Sequence, residues 1–452
     1  MDNTSENMNI PEIKPDASLP EDVAPETEAV EDVVPETEAV EDVAFESEVS
    51  DSVSYQKAQP EVRIPQQPTP SMIYYSNQTD DTPQYHYGNS YMGSIIYNRY
   101  YMEQGKRVEA KAKLSKRLKQ VGNLVGAAMI ATYLLMYVLM FVLQVARAFA
   151  GPNSIVAQVY NSFSTTVTGG SLLQLIYTLT VVGGGFIVFR KLISVACTND
   201  INTPLKKGRK SKCVSIPLGA PEGGARVPLL ILISFGGCML ANYVTIFFSI
   251  FYGMFGLTSG DGGAGPSPQT GWDIASLVCA NAIVPALIEE LALRGIVMTP
   301  LRKYGSGFAI LISAFAFGIF HGDLDQIPFA FICGLFMGYA VVITESLWTG
   351  IVIHALNNSI SCIQATIIMK MGEGASGIFF FAISGLAILV GVIALVIYLK
   401  LYKKEDFKKL KSGSSLMNTS SMFKSAVASP VMIVAILLFV FIAIKERLPV
   451  VA

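Results

Sequence analysis

Residues 274–300 read IASLVCANAIVPALIEELALRGIVMTP. As a helix this stretch is about 40 Å long at roughly 1.5 Å per residue, enough to cross a hydrocarbon core of about 30 Å. Yet Glu289, Glu290 and Arg294 stand in its second half. An ionisable group in hydrocarbon costs several kcal/mol unless it is paired, so the segment reads as one helix of a bundle that supplies partners. Glu290 and Arg294 are four apart and share a face, so they can pair with each other. Glu289 points about 100° away and is left without a partner on its own helix.

Comparable apolar runs recur near 120–145, 170–190, 227–256, 306–321, 327–345, 347–369, 377–401 and 429–445. Backbone groups cannot go unpaired in lipid, so only helices or closed barrels span it. These runs are too long and too continuous for alternating barrel strands of about ten residues. The expected fold is all-α, a polytopic transmembrane bundle of about eight or nine helices with a disordered N-terminal tail. Composition agrees, with 51% apolar and only 15% charged residues among 452. The net charge of −2 averages two unlike halves. The bilayer is the expected environment, and no nucleic acid is expected as a partner.

Residues 1–105 form the tail. They lack the apolar core of a cleavable signal peptide. Residues 21–50 repeat EDVAPETEAV, EDVVPETEAV, EDVAFESEVS, which has nothing large to bury and reads as disordered. Residues 51–105 read as a further flexible segment, with His86 an exposed loop histidine. The remaining divisions are 106–226 (a basic amphipathic stretch, two spans and a basic loop), 227–402 (the core) and 403–452 (a basic loop and the last span).

Basic residues gather in alternate loops. Lys106–Lys119 precedes the first span, 205–212 follows the second, Arg302 and Lys303 the fourth, and Lys400–Lys411 the eighth. The positive-inside rule then places these loops and the tail in the cytoplasm, with the plasma membrane as the expected location.

The six cysteines are scattered through apolar runs without a C-x-x-C pair and read as small buried hydrophobes. Of three histidines, His321 and His354 lie in apolar segments. Phe317 stands one turn before His321, and Asn358 one turn after His354. A carboxylate, two imidazoles and an amide on three helices make a catalytic inventory. The carboxylate can deprotonate water and later protonate a leaving amine. The imidazoles can bind a metal or position the water, and the amide can donate to an oxyanion. Glu290 and Arg294 would support Glu289 from behind. Each group alone also suits a hydrogen bond between helices, so the residues by themselves fit both an enzyme and a polar-relay transporter.

Glu289-Glu290-x-x-x-Arg294, Phe317-x-x-x-His321 and His354-x-x-x-Asn358, in this order on separate apolar helices, resemble the signature of the CAAX prenyl protease 2 family. This family of intramembrane endopeptidases includes the CAAX protease and bacteriocin-processing proteins. The resemblance covers about 227–402. It implies about eight helices around a polar cavity that opens towards the cytosol. Glu289 would be the base, His321 and His354 would flank the water, and Asn358 would hold the oxyanion. Zinc on His321, His354 and Glu289 is the alternative to a metal-free mechanism. The implied partner is a membrane-associated peptide, prenylated or a bacteriocin precursor. A catalytically silent member acting in self-immunity has the same motifs. One expectation tests the reading. Taken from the basic loops, Glu289, His354 and His321 lie about 15, 10 and 22 Å deep, and catalysis requires that they converge.

Overall fold

The computed structural model describes residues 90–198, 214–257, 268–402, 405, 406, 408, 410, 416–445, 447 and 448. Among the described residues there are helices and no strands. Seven helical segments are long and apolar enough to cross a bilayer, and a bent C-terminal pair would make eight.

The first is α1 (Ser90–Phe149). The basic stretch 106–119 and the first expected span are one continuous helix. Leu114, Leu118, Val121 and Val125 recur at helical spacing and are buried against the bundle. Residues 90–105, expected to belong to the tail, are instead the opening turns of this helix. The Lys- and Glu-bearing sequence after them favours helix, and nothing between breaks it. The rest of the expected tail lies outside the described residues.

After α2 (Ile155–Thr165), the second span is built from α3 (Val167–Ile176), a π-helical stretch Tyr177–Gly183, and α4 (Gly184–Thr198). The third is α5 (Arg226–Gly253). The fourth begins with α6 (Gly271–Val278), opened by a capping box between Thr270 and Asp273. It continues through α7 (Val284–Glu290) and α8 (Thr299–Leu301), which are joined by π-helical turns, and runs as far as Tyr304. Then follow α9 (Ser306–Phe320), α10 (Gln326–Thr344), α11 (Leu347–Met371) and α12 (Glu373–Leu401). The C-terminal pair is α13 (Thr419–Val427) and α14 (Pro430–Lys445), bent by 76°. Pro430 at the head of α14 suits a first helical turn, where its missing N–H costs nothing.

The helix α9 differs from the rest. It is apolar all round, most of its residues are buried, and it is too short to count as a span. A helix with no polar face belongs inside a bundle. It packs closely on α10, where a Cβ on Gly334 would stand 2.9 Å from the Ala314 Cα.

Side-chain bonds fix which helix ends lie together. At one end Arg302 pairs with Glu345, Arg226 with Asp406, and Ser346 with the Gly219 carbonyl. This is the end of the basic loops. At the other end Thr168 bonds Asp273, and Arg447 pairs with Asp323 and Asp325.

The five described cysteines are free and four of them are buried, as expected of small apolar side chains.

Candidate functional site

Glu289 and Glu290 end α7, a short α-helical piece between two π-helical stretches, Cys279–Ile283 and Leu291–Met298. Such wide turns recur at functional sites because they re-aim side chains and release backbone groups. Pro285 contributes directly. It has no N–H, so the Asn281 carbonyl loses its i→i+4 donor. The Asn358 side chain takes that place, its Nδ2–H donating to the Asn281 carbonyl at 3.1 Å. A bond from α11 thereby ties α11 to the break in the fourth span.

Glu290 and Arg294 are fully buried, with Arg294 Nη1 donating to Glu290 Oε1 at 2.8 Å. Arg294 also reaches the Gly334 carbonyl, and its guanidinium carbon sits 4.6 Å from the centre of the Phe317 ring. The same Glu290 oxygen lies 3.2 Å from His354 Nδ1. Glu290 therefore orients His354, whereas the sequence suggested a support for Glu289. A carboxylate already accepting from arginine can only accept again, so Nδ1 of His354 carries a proton, and in the neutral ring Nε2 keeps its lone pair. That Nε2 faces Glu289 Oε2 at 3.9 Å.

His321 caps the end of α9. Its backbone N–H turns back to the Gly318 carbonyl, which frees the Phe317 carbonyl. The His321 Nδ1–H donates to that carbonyl at 2.7 Å. A carbonyl only accepts, so Nδ1 carries a proton and in the neutral ring Nε2 is again the free nitrogen. Phe317 stands between the parts, edge-on to His321 at 4.7 Å and to His354 at 5.6 Å.

Glu289, Phe317, His321, His354 and Asn358 all line one cavity of about 510 Å³. The depths that disagreed on paper now agree. The fourth span continues to Tyr304, which puts Glu289 about 22 Å from its end, and His321 lies about the same distance from Ser306. His354 starts closer to its helix end, but the turn before α11 is itself sunk into the bundle. Thr344, Ser346 and Leu347 are wholly buried, and residues 216–222 lie over them through bonds to Thr344, Ser346, Leu347 and Trp348.

Several cavity residues carried no sequence signal that was recognised. Tyr177 and Asn281 line the same space. Asn357 does too, with its Oδ1 buried and without a partner. Gly350 on α11 is also missing from the expected set. A Cβ there would stand 2.6 Å from Glu290 Oε2 and 2.8 Å from Val341 Cγ2. Two signals were legible: Pro285 four residues after Asn281, and Gly350 four before His354.

With both rings neutral, these contacts select the tautomer that metal ligands adopt, with Nδ1–H engaged and Nε2 free. Even so, among the described residues no three His, Cys, Asp or Glu side chains come together closely enough to hold a metal ion. The set His321, His354 and Glu289 does not fit zinc as arranged.

Residues 271–360 match the family model for type II CAAX prenyl endopeptidase Rce1-like. This segment is similar to Rce1-like domains. It runs from the start of α6 into α11, and so takes in every residue from Glu289 to Asn358 described above. The apolar helices within and around this segment make the chain an integral membrane protein, and over residues 271–360 it is similar to CAAX-type proteases. No curated protein and no solved structure matches the chain.

Proposed function

We propose that the protein is an intramembrane endopeptidase that cuts a membrane-anchored peptide with water activated by Glu289. The observation that carries this is the facing of Glu289 Oε2 and His354 Nε2, 3.9 Å apart, inside the polar cavity. Both are acceptors. A water about 2.8 Å from each would give one hydrogen to the carboxylate and one to the imidazole. Its lone pair would then be aimed at the substrate carbonyl.

Glu289 removes a proton as the water oxygen bonds to the carbonyl carbon, and the C=O electron pair moves onto oxygen. The Asn358 amide has two N–H groups. One is held by Asn281, and the second is available to the oxyanion. Collapse breaks the C–N bond, and the proton on Glu289 passes to the leaving amine. Glu290 holds the His354 tautomer throughout. His321 offers a second Nε2 acceptor, suited to a backbone N–H of the bound chain. No step needs a metal. The plasma membrane, with the N-terminal tail in the cytoplasm, is part of the same proposal.

The test is cleavage by purified protein in detergent of a panel that includes a prenylated C-terminal peptide and a bacteriocin-precursor leader. Wild type should cut at least one member. Glu289→Gln and His354→Ala should each lose about 10²-fold or more while remaining folded. Cleavage that persists in Glu289→Gln would sink the mechanism.

A further inference from the structure

Close to the site lies a buried charge that the mechanism does not use. Arg447 stands just past the end of α14 and is 7% exposed. Its Nη2 donates to Asp323 Oδ1 at 2.9 Å and to Asp325 Oδ2 at 2.6 Å. A guanidinium taken out of water needs its carboxylates, so this contact holds the two aspartates as firmly as they hold the arginine. Both belong to the turn that follows His321. Gly322 takes φ 62°, a left-handed value that costs glycine little, and swings the chain from α9 into α10. Asp323 then opens α10. Its carbonyl accepts from the Ile327 N–H at 2.9 Å, its Oδ1 from the Asp325 N–H at 2.9 Å, and its Oδ2 from Gln326 Nε2 at 3.3 Å. Gln326 and His321 both line the cavity.

The side of α14 packs over the same turn. A Cβ on Gly322 would lie 3.5 Å from Phe439 Cδ1 and 3.9 Å from Ile442 Cγ2, and the Phe439 ring centre is 5.7 Å from that of Phe320. Residues 439 and 442 are three apart and so neighbours on the helix surface. His321 has need of such a hold. It caps α9, where the helix's own hydrogen bonds run out, and its ring is tied within the helix by the Phe317 carbonyl at 2.7 Å. One bond at a helix end leaves a ring able to turn. The direction in which His321 points is then set by the backbone of the turn, which Arg447 anchors two and four residues further on.

We infer that Arg447 is a positioning residue for His321. By anchoring Asp323 and Asp325 it holds the end of α9, so that His321 keeps Nδ1–H on the Phe317 carbonyl and Nε2 towards the cavity. Through Asp323 the same anchor sets Gln326. Arg447 lies outside 271–360, the segment similar to Rce1-like domains, and outside the 227–402 core. The site is therefore completed by the C-terminal pair of helices, which carries none of the motifs. The consequence for turnover rests on the protease reading, whereas the hold on the His321 ring does not.

The test is the tautomer of His321, read from solid-state ¹⁵N spectra of the full chain, histidine-labelled and in lipid. The chain has three histidines, so His321→Ala and His354→Ala assign the signals. At about pH 8.5, some two units above the ordinary histidine value, the rings are neutral. Wild type should show His321 as the Nδ1–H form alone. In Arg447→Met the Nε2–H form should appear beside it, while His354, held by Glu290, stays unchanged. Arg447→Lys keeps a charge and should keep more of the wild-type signal. Met432→Ala is the control for general loosening. Met432 is buried where α14 meets α1, its Cα 2.8 Å from where a Cβ on Gly126 would stand, two turns from Phe439. It should leave His321 as in wild type. Should Arg447→Met fail to fold, Asp323→Asn weakens the same bond from the other side and is read in its place. A His321 signal unchanged in Arg447→Met, or altered as much in Met432→Ala, would overturn the inference. With a cleaved peptide in hand, turnover in Arg447→Met should fall about 10-fold or more. Failure to cleave any peptide would count against the protease reading, and the spectra would still decide the role of Arg447.

Discussion

The buried pair Glu290–Arg294 should be a structural unit whose second task is to hold a catalytic tautomer. Replacing Arg294 with Met keeps the side-chain bulk but removes the charge, the bond at 2.8 Å and the contact with Phe317. It leaves the Glu290 carboxylate fully buried with only the His354 Nδ1–H. Its other oxygen, Oε2, already has no hydrogen-bond partner. Breaking one side of a buried pair costs about 3–5 kcal/mol, because the remaining charge is uncompensated. Adding Glu290→Gln removes that charge and still offers His354 an amide oxygen. The double variant should recover a large part of the loss, with a coupling of about 2 kcal/mol between the two sites. Activity should not follow stability. The amide is a weaker acceptor and can present its NH₂ group instead, which would reverse the His354 tautomer. Thermal unfolding in detergent, with cleavage measured beside it, separates the two effects. If the single changes add without coupling, or if the double variant regains activity in step with stability, the dual role assigned to Glu290 is wrong.

Four further expectations can be checked in the same preparations. Gly350→Ala should push Glu290 out of place, destabilise the fold by about 1–3 kcal/mol and cut turnover by up to about 10²-fold through His354, as seen by unfolding and initial rates. Pro285→Ala restores an N–H for the Asn281 carbonyl, so Asn358 should lose its anchor. Turnover should fall with little loss of stability, and an unchanged rate would remove Asn358 from the mechanism. Outside the spans, burial raises the Asp323 carboxyl, but the Asp325 backbone N–H and Arg447, helped by Gln326, outweigh it and hold it below its ordinary value. Its contribution to stability is therefore complete above about pH 3.9 and is lost as pH falls through its lowered value. In Asp323→Asn that contribution should be absent at neutral pH, and the acid limb of the stability curve should be shallower. A chelator should leave cleavage unchanged, and zinc-restorable loss would refute the metal-free proposal.

Much of this architecture was legible in one dimension. Continuous apolar runs have only one way to satisfy their backbone in lipid, so helices and their approximate limits followed from length and composition alone. The placement of Glu289, Glu290, Arg294, His321, His354 and Asn358 inside those runs marked them as a set, because unpaired polar groups there are too costly to be incidental. Sequence periodicity did not give the partners. Spacing pairs Glu290 with Arg294, but that His354 shares the same oxygen depends on how α11 crosses α7. Glu289 and His321 meet in one cavity because α9 is short and enclosed, and because the fourth span runs on to Tyr304. The Asn358 bond to the Asn281 carbonyl, and the cover of the turn between α10 and α11 by residues 216–222, are contacts between segments far apart in the chain. Local sequence sets which groups must find partners in the membrane. Only the packing of the helices decides which partner each one finds.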